Sequence, residues 1–259
     1  MVRPVGVISL AVGFSGSRSN LSFTATTGNQ AMRCCHAVQI LLLLTSVGCT
    51  TSGGGDQAVW DFDNLDRIGG QPVVVLGDPK VIDTPEGKAI EFDGEDDGIF
   101  LSVHPLAGFE QFTAEIVFRP YAAGLDEQRF FHMEEAGESL ERVMFETRLT
   151  EDNLWYLDTF VRTGDDEHTQ LAADHKHPIG PWYHAAIVMD DFSFKHYVNG
   201  ELEMSTPIDF RAQDAGQTSV GVRQNEVYWF KGAVRVARFT PRPLKPAEFL
   251  GSRLPENQR

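Results

Sequence analysis

A series of short segments rich in β-branched and aromatic residues is the feature of this sequence that most constrains its fold. They span residues 59–62, 73–76, 89–92, 99–103, 112–118, 129–133, 143–149, 155–162, 169–172, 183–189, 194–198, 218–222 and 230–239. Turn-forming residues separate them, and no run with a helical period of comparable length interrupts the series. Many short strands at this spacing predict an all-β protein built as a two-sheet sandwich.

The alternation of side chains is clearest in residues 112–119. A strand turns successive side chains to opposite faces, so the apolar residues at 112, 114, 116 and 118 share one face. Thr113, Glu115 and Arg119 point the other way. The pattern predicts that one face packs in the core and that the other meets solvent or a ligand.

Four segments resemble, in order, the motifs of the laminin-G-like (concanavalin A-like) jelly-roll family. They are AIEFDG at 89–94, FTAEIVFRP at 112–120, the WYHAAIVMD and KHYVNGEL stretches between 182 and 202, and FKGAVRVARF at 230–239 with Leu244 and Glu248. The resemblance implies a two-sheet antiparallel jelly-roll sandwich of an extracellular type that usually binds a ligand. Arg235 and Val236 depart from it, because the family commonly has an acidic pair there.

The N-terminal part predicts export. An apolar run at 37–44 follows Met32 and Arg33 and ends just before Cys49, which is the pattern of a secretory signal and is too short to span a membrane. The cut site resembles a bacterial lipobox, although Ser46 stands where that motif prefers Leu. We therefore interpret 1–31 as an upstream mis-start extension, 32–48 as the signal peptide, 49–57 as a tether, 58–250 as the jelly-roll domain and 251–259 as a tail.

These boundaries predict a cell-envelope protein anchored through lipidated Cys49, in the outer membrane or at the cell surface, or a secreted protein if Cys49 is not lipidated. Loss of residues 1–48 removes three arginines and no acid, which takes the formal charge from -15 to -18. So acidic a chain repels polyphosphate, which excludes nucleic acid as a partner. Cys34 and Cys35 would leave with the signal, so the mature domain has neither a disulfide nor a cysteine zinc site.

An acidic stretch at 93–97 has two interpretations. Asp93, Asp96 and Asp97 offer hard oxygen ligands, which predicts a calcium site, and a solvated acidic turn is the alternative. The run EFDGE at 91–95 also matches an E-x-D-x-E motif of retaining glucanases in the same superfamily. The turn after Gly94 argues against that second match, because it would break the strand before Glu95 could align.

Two neighbouring strand segments bring charged and aromatic side chains to a common face. If 142–149 and 155–162 form a hairpin, period two gathers on one surface Arg142, Glu146, Arg148, Tyr156, Asp158 and Arg162. Such a surface suits a saccharide, and cross-strand ion pairs are the alternative. Arg223 and Trp229 lie in a loop between strands, where binding residues are common. The predicted ligand-binding set is therefore these eight residues.

The histidines are open to three interpretations. Those at 168, 175, 177, 184 and 196 cluster in sequence and could bind zinc, or they could be structural. An enzyme on this fold could use His132, His184, Glu146 and Asp158 as acids and bases.

We interpret the protein as a secreted, membrane-tethered lipoprotein with one non-catalytic ligand-binding domain, with carbohydrate as the favoured ligand and calcium as the predicted cofactor. The alternatives are a glycoside hydrolase or polysaccharide lyase on the same fold and an adhesion module that binds an extracellular protein. Fold alone does not choose among them.

Overall fold

The computed structural model describes residues 57–137 and 141–253, and nearly all of the regular structure is β-strand. The strands are β1 (Ala58–Asp61), β2 (Arg67–Ile68), β3 (Gln71–Pro72), β4 (Val74–Leu76), β5 (Lys80–Thr84), β6 (Gly87–Asp93), β7 (Gly98–Leu101), β8 (Phe112–Pro120), β9 (Glu127–Glu135), β10 (Arg142–Leu149), β11 (Leu154–Thr163), β12 (Asp166–Leu171), β13 (His177–Pro178), β14 (Tyr183–Met189), β15 (Ser193–Val198), β16 (Glu201–Pro207), β17 (Gly216–Val220) and β18 (Lys231–Thr240). Two short 3₁₀ helices follow, at Pro246–Glu248 and Leu250–Arg253.

The strands form two large antiparallel sheets. Sheet 1 has the order β16-β15-β14-β8-β18-β6-β5, with β1 also paired to β18. Sheet 2 has the order β12-β11-β10-β9-β17-β7-β4, with β13 also paired to β11. A small hairpin of β2 and β3 stands apart from both. The predicted all-β jelly-roll sandwich is confirmed.

Each segment predicted as a strand overlaps an observed strand, and two of the strands that the sequence pattern missed, β5 and β16, are the edge strands of sheet 1. Their ranges are Lys80–Thr84 and Glu201–Pro207. Both strands are half-exposed and carry charged residues, so their sequences lack the alternation of apolar and polar residues that marks a half-buried strand. The tight turn before β16 follows its sequence signal. Asn199 and Gly200 both adopt positive φ angles, 51° and 84°, as an Asn-Gly hairpin turn requires.

Aromatic side chains fill the space between the sheets. Phe118 of sheet 1 stacks on Phe130 of sheet 2, with ring centroids 4.2 Å apart, and Trp155 meets the edge of Phe118 at 5.2 Å. These rings are all fully buried. Offset and edge-to-face contacts add to the free energy already gained by removing large apolar surfaces from water.

A β-bulge in β9 breaks the alternation of inward and outward side chains. Phe131 pairs with Phe145, yet the next pair along β10 is Glu146 with Arg129, so Phe130 is the extra residue. Phe130 and Phe131 both pack in the core as a result. Arg129 and His132, on either side of them, are carried to the outer face of sheet 2.

The outer face of sheet 1 does not meet solvent at β8, which corrects the expectation for the face bearing Thr113 and Glu115. Both side chains are fully buried, because the segment after β18 folds back across them. The Thr113 hydroxyl donates to the Arg242 carbonyl at 2.9 Å and accepts from the Leu244 N–H at 2.8 Å. An apolar cluster seals the rest of this face, formed by Ala186, Val188, Tyr197, Leu244 and Phe249.

A buried ionic group fastens this C-terminal segment to sheet 1. Glu115 accepts hydrogen bonds from His184 Nε2 at 2.9 Å, from the Leu250 N–H at 2.7 Å and from Arg238 Nε. Arg238 also donates to the Glu248 carbonyl at 2.8 Å. Burial alone would raise the pKa of Glu115, but the hydrogen bonds from His184 and Arg238 outweigh it and lower the pKa.

The predicted boundary between domain and tail at residue 250 falls inside the second 3₁₀ helix, Leu250–Arg253. The mis-start extension, the signal peptide, Cys49 and nearly all of the tether lie outside the described residues. Within the described parts of the chain, no helix is long and apolar enough to cross a membrane.

We predict that Glu115→Ala lowers the free energy of unfolding by about 3–5 kcal/mol, because it leaves the guanidinium of Arg238 buried without its carboxylate. Urea titration followed by tryptophan fluorescence measures the change. Glu110→Ala, at an exposed position, is the matched control and should change the free energy by less than about 0.5 kcal/mol. Equal effects of the two variants would contradict this account.

Candidate functional site

The outer face of sheet 2 carries most of the predicted ligand-binding residues, and the predicted hairpin of 142–149 with 155–162 is confirmed. In the β10–β11 register, Arg142 lies opposite Arg162 and Glu146 opposite Asp158. Arg148 lies opposite Tyr156. Six of the eight residues therefore share one surface, while Arg223 and Trp229 lie in the loop between β17 and β18.

An ionic cluster occupies the middle of this surface. Arg148 donates from Nε to Asp158 Oδ2 at 2.7 Å and also pairs with Glu127. Arg129 pairs with Glu127, and its Nη2 atom lies 3.0 Å from Glu146 Oε2. The cross-strand ion pairs considered as an alternative are therefore present.

The cluster holds one proton near neutral pH. The cluster contains the three carboxyl groups of Glu127, Glu146 and Asp158 and two guanidinium groups. With all three carboxyl groups ionised its net charge would be -1, so one bound proton makes it neutral. Burial, followed by the charge of Asp158, raises the pKa of Glu146 to about 8. Burial likewise raises the pKa of Asp158. We assign the proton to the Glu146 side of this coupled pair.

The two central carboxyl groups are closed off from solvent. Glu146 is 2% exposed and Asp158 is 1% exposed. The ring of Tyr228 covers Arg129, with the guanidinium carbon 3.9 Å from the ring centroid. The middle of the face is thus a self-paired network, and a ligand must bind beside it.

A second charged group lies toward the β12 end of the face. The Arg142 guanidinium stacks on Phe160 at 4.5 Å from the ring centroid. Arg162 donates to Glu167 at 2.7 Å, and Arg142 lies 3.9 Å from the same carboxylate. Arg142 and Arg162 are therefore held by the sheet itself.

A pocket of about 200 Å³ opens beside this group, between β9, β17 and the loop at 221–230. The lining residues are His132, Glu134, Gln217, Arg223, Gln224 and Asn225. Arg142 borders it, because Arg142 pairs with Glu134 across the β9–β10 ladder. Every lining side chain is polar or charged, which suits a hydroxylated ligand.

His132 is fixed in one neutral tautomer at the base of the pocket. The Gln224 N–H donates to His132 Nδ1 at 3.1 Å, so the ring proton belongs on Nε2, which lies 3.2 Å from a Glu134 oxygen. Burial lowers the pKa of His132. Burial opposes ionisation of Glu134, but the hydrogen bond from His132 and the charges of Arg142 and Arg223 outweigh it and lower the pKa of Glu134.

Apart from His132 Nε2, which lies close to Glu134, two donors on residues that line the pocket lack a hydrogen-bond partner within the protein. They are Arg223 Nε and Gln224 Nε2, both buried from solvent. A buried donor without a hydrogen bond costs about 1–3 kcal/mol, and a ligand oxygen would remove that cost. This pair of donors is the strongest sign of a ligand site on the face.

Sequence reasoning found part of this pocket. It selected Arg223 as a ligand residue and His132 as a catalytic candidate, but it did not select Glu134, Gln217 or Gln224. Trp229 is half-buried and packs toward Gly98, where a Cβ would meet its ring at 3.4 Å. Trp229 is thus not among the lining residues.

The acidic turn lies elsewhere, after β6. Asp93, Asp96 and Asp97 each place one carboxylate oxygen within 4.8 Å of the others. Asp97 accepts hydrogen bonds from the N–H groups of Asp78 and Asp93 at 2.7 and 3.0 Å, so it also holds the loop together. The strand ends at Asp93 and Gly94 has φ 80°, so Glu95 is not aligned with Glu91 in a glucanase motif.

The clustered histidines do not converge on one site. His184, a candidate acid or base, is buried on sheet 1 against Glu115, away from the outer face of sheet 2. His177 and His196 both approach Glu203, at 2.7 and 3.6 Å. Among the described residues, the three aspartates are the group whose ligand atoms lie close enough together to hold a metal ion.

Solved structures similar to this chain include carbohydrate-binding domains. Domain 4 of AbnA, a GH43 extracellular arabinanase from Geobacillus stearothermophilus in complex with arabinotriose, matches at 20% identity with a TM-score of 0.56. The match covers 74% of this chain and 94% of that domain. It shows a common fold.

Two botulinum neurotoxin structures also share the fold. Type C toxin, described as dependent on two ganglioside molecules for cell entry, matches at 10% identity and a TM-score of 0.54 over 74% of this chain and 49% of the toxin chain. The binding domain of type DC in complex with SialylT matches at 11% identity with a TM-score of 0.54. That match covers 73% of this chain and 49% of the toxin chain. This chain therefore spans about half the length of those toxin chains.

Comparison of sequences gives the family. No curated protein sequence matches the chain. A laminin-G family model, described as the concanavalin A-like lectin/glucanases superfamily, matches residues 93–249, which is more than half of the chain. On this match and on the two-sheet fold, the protein belongs to the concanavalin A-like lectin/glucanases superfamily.

Proposed function

We propose that this domain is a non-catalytic carbohydrate-binding module whose ligand enters the pocket between β9, β17 and the loop at 221–230. The observation that carries the proposal is the pair of buried donors without partners, Arg223 Nε and Gln224 Nε2, in a wholly polar pocket. Sugars present hydroxyl groups that both donate and accept hydrogen bonds, and convergent polar groups of this kind fix their orientation.

The composition of the pocket matches that requirement. Amides at 217, 224 and 225 offer donors and acceptors, Arg223 offers donors, and ionised Glu134 offers acceptors. The volume of about 200 Å³ is smaller than a drug-sized cavity, so the pocket suits one sugar residue of a longer chain. Neighbouring structures with arabinotriose, gangliosides or SialylT support a carbohydrate as the ligand class.

We further propose that the protein works at the cell envelope, anchored to the outer membrane or cell surface through lipidated Cys49. The short apolar run and the lipobox-like cut site support this proposal. The tether predicted from sequence at 49–57 would let the pocket reach glycans beyond the membrane surface.

Glycoside hydrolysis is the second candidate function, because Glu146 and Asp158 form a neighbouring carboxyl pair in which the pKa of Glu146 is raised to about 8. A carboxyl group with a raised pKa beside a second carboxyl group is what a general acid and its partner need. Its burial beneath Arg129, Arg148 and Tyr228 favours binding without turnover. Release of reducing ends from a bound polysaccharide would reverse this preference.

We predict that the protein is retained on at least one glycan in a panel of arabinan, xylan, pectin, alginate and sialylated oligosaccharides, without release of reducing or unsaturated ends. Gln224→Ala removes one donor from the pocket and should weaken binding about 3- to 10-fold by isothermal titration calorimetry. Gln71→Ala, at an exposed position on β3, is the control and should bind like the unmodified protein. Failure to bind any glycan would overturn the proposal in favour of a protein partner.

The raised pKa of Glu146 predicts a pH dependence of stability. The folded value of about 8 exceeds the usual 4.5, so this group's stabilisation is present below pH 4.5 and is lost as pH rises through 8. Glu146→Gln should remove this group's contribution to the dependence of stability on pH. The stability of the variant relative to the unmodified protein should therefore increase as the pH is raised from 5 to 9.

Melting temperatures across this pH range test the prediction. The exposed substitution Glu151→Gln is the control and should leave the slope unchanged. A Glu146→Gln variant that loses stability equally at every pH would show that Glu146 is ionised in the folded protein.

We also propose calcium as a structural cofactor at the acidic turn. The backbone of Gly77 packs directly against this turn, because a Cβ added there would lie 2.4 Å from Asp97 Oδ1 and 2.8 Å from Asp96 Oδ1 and would clash with both. The Asp96 carbonyl oxygen lies 2.7 Å from the same point, so carboxylate and carbonyl oxygens are gathered here. Carboxylate and carbonyl oxygens are the ligands that calcium prefers, and Asp93, Asp96 and Asp97 would hold it.

Calcium at 100 times its Kd should add about 2.7 kcal/mol to the free energy of unfolding, which raises Tm by roughly 5–10 °C for a domain of this size. EDTA should reverse the shift. Asp96→Asn should reduce the shift, whereas the exposed control Asp165→Asn should not. An unchanged Tm in calcium would exclude the site.

A further inference from the structure

We propose that the pocket selects a saccharide bearing an anionic substituent, a carboxylate or a sulfate, and that Arg223 is the residue that recognises it. This inference rests on the proposed carbohydrate-binding function and adds the chemical class of the sugar.

The first argument is the state of the Arg223 guanidinium. Its Nε atom is buried without a hydrogen-bond partner, and its Nη1 atom donates one long hydrogen bond, 3.4 Å, to Asn225 Oδ1. The other arginines on this face, at 129, 142, 148 and 162, each lie within 4 Å of a carboxylate oxygen. Arg223 has no such ion pair among the described residues, so its charge is available to a ligand.

The second argument is that the loop fixes the backbone of Arg223 in place. The Arg223 N–H donates to the Val227 carbonyl at 3.2 Å, and the Glu226 N–H donates to the Arg223 carbonyl at 2.9 Å. The neighbouring Gln224 N–H donates to His132 Nδ1. With its backbone held in advance, the loop loses little conformational freedom when the ligand binds, and only the side chain of Arg223 has to be ordered.

The third argument is the balance of charge at the pocket. Arg142 and Arg223 contribute two positive charges beside the single negative charge of Glu134, and Arg142 also lies 3.9 Å from Glu167, so Arg223 is the one of the two without an ion pair among the described residues. Burial lowers the pKa of Arg142, and the charge of Arg223 lowers it further, so these guanidinium groups repel each other. An anionic oxygen placed beside Arg223 would relieve that repulsion, and the planar guanidinium matches a carboxylate or sulfate.

The fourth argument limits the size of the ligand. The formal net charge of the chain is -15, so a long polyanion is repelled by the protein as a whole. Recognition of the anionic group must therefore act at short range, inside a pocket of about 200 Å³. An oligosaccharide that places one acidic residue in the pocket fits both conditions.

The test compares each acidic sugar with a neutral form of the same sugar. The probes are trisaccharides of galacturonate, mannuronate and glucuronate, their fully methyl-esterified forms, 6-sulfated galactotriose, and neutral galactotriose and arabinotriose. We expect an acidic probe to bind at least 10-fold more tightly than its neutral counterpart by calorimetry. Arg223→Gln should weaken that binding about 10- to 100-fold and weaken binding of the neutral probe by less than about 10-fold, because only a neutral hydrogen bond is lost there.

Arg67→Gln is the matched control, because Arg67 is exposed on the small β2–β3 hairpin. It removes the same charge and should leave the affinity unchanged. Since the Arg223 side chain makes only one long contact, its replacement should leave Tm unchanged, which separates loss of binding from loss of folding.

The outcomes separate the inference from the proposed function. Equal affinity for the acidic and neutral forms, or binding of neutral sugars alone, would overturn the inference while leaving the proposed carbohydrate binding intact. No binding of any probe, together with no binding in the wider glycan panel, would overturn both. Binding of the uronates but not of the sulfated probe, or the reverse, supports the inference and identifies the anionic group.

Discussion

The extra residue in β9 is the constraint on which both the core and the binding face depend. Because Phe130 is inserted into the ladder, it can stack on Phe118 while Phe131 also faces inward. The same insertion places Arg129 and His132 together on the outer face. Without the bulge, strict alternation would bury one of these polar groups without a partner or expose one of the two rings. The packing of the sandwich and the chemistry of its surface are therefore set by one local irregularity.

The two sheets differ in what covers their outer faces, and this difference positions the candidate site. The C-terminal segment lies across sheet 1, held by the buried carboxylate of Glu115 and the hydroxyl of Thr113. Sheet 2 has no corresponding cover over its β9–β17 end among the described residues, and there the loop at 221–230 forms one wall of a pocket. An open face with the candidate pocket on sheet 2 and a sealed face on sheet 1 are two consequences of the same chain path.

Sequence predicted the fold well because the alternation of apolar and polar residues is a local property. It also predicted that Glu146 and Asp158 would share one surface, since both residues follow period two on adjacent strands, and the register then places them opposite each other. It failed at Glu115, whose burial depends on a segment more than 120 residues away that no local pattern reveals. It missed Glu134 and Gln217 for a related reason, because their pocket is formed by the pairing of β9 with β17, which are distant in the chain.

The proton held by Glu146 has a thermodynamic consequence beyond the site. When the chain unfolds at neutral pH, the carboxyl group returns to water, where its pKa is far below 7, and it releases that proton to the buffer. The heat absorbed on unfolding therefore includes the heat of protonating the buffer. The calorimetric enthalpy of this domain should differ between phosphate and Tris at the same pH, and that difference, divided by the difference between the ionisation enthalpies of the two buffers, gives the net number of protons released on unfolding.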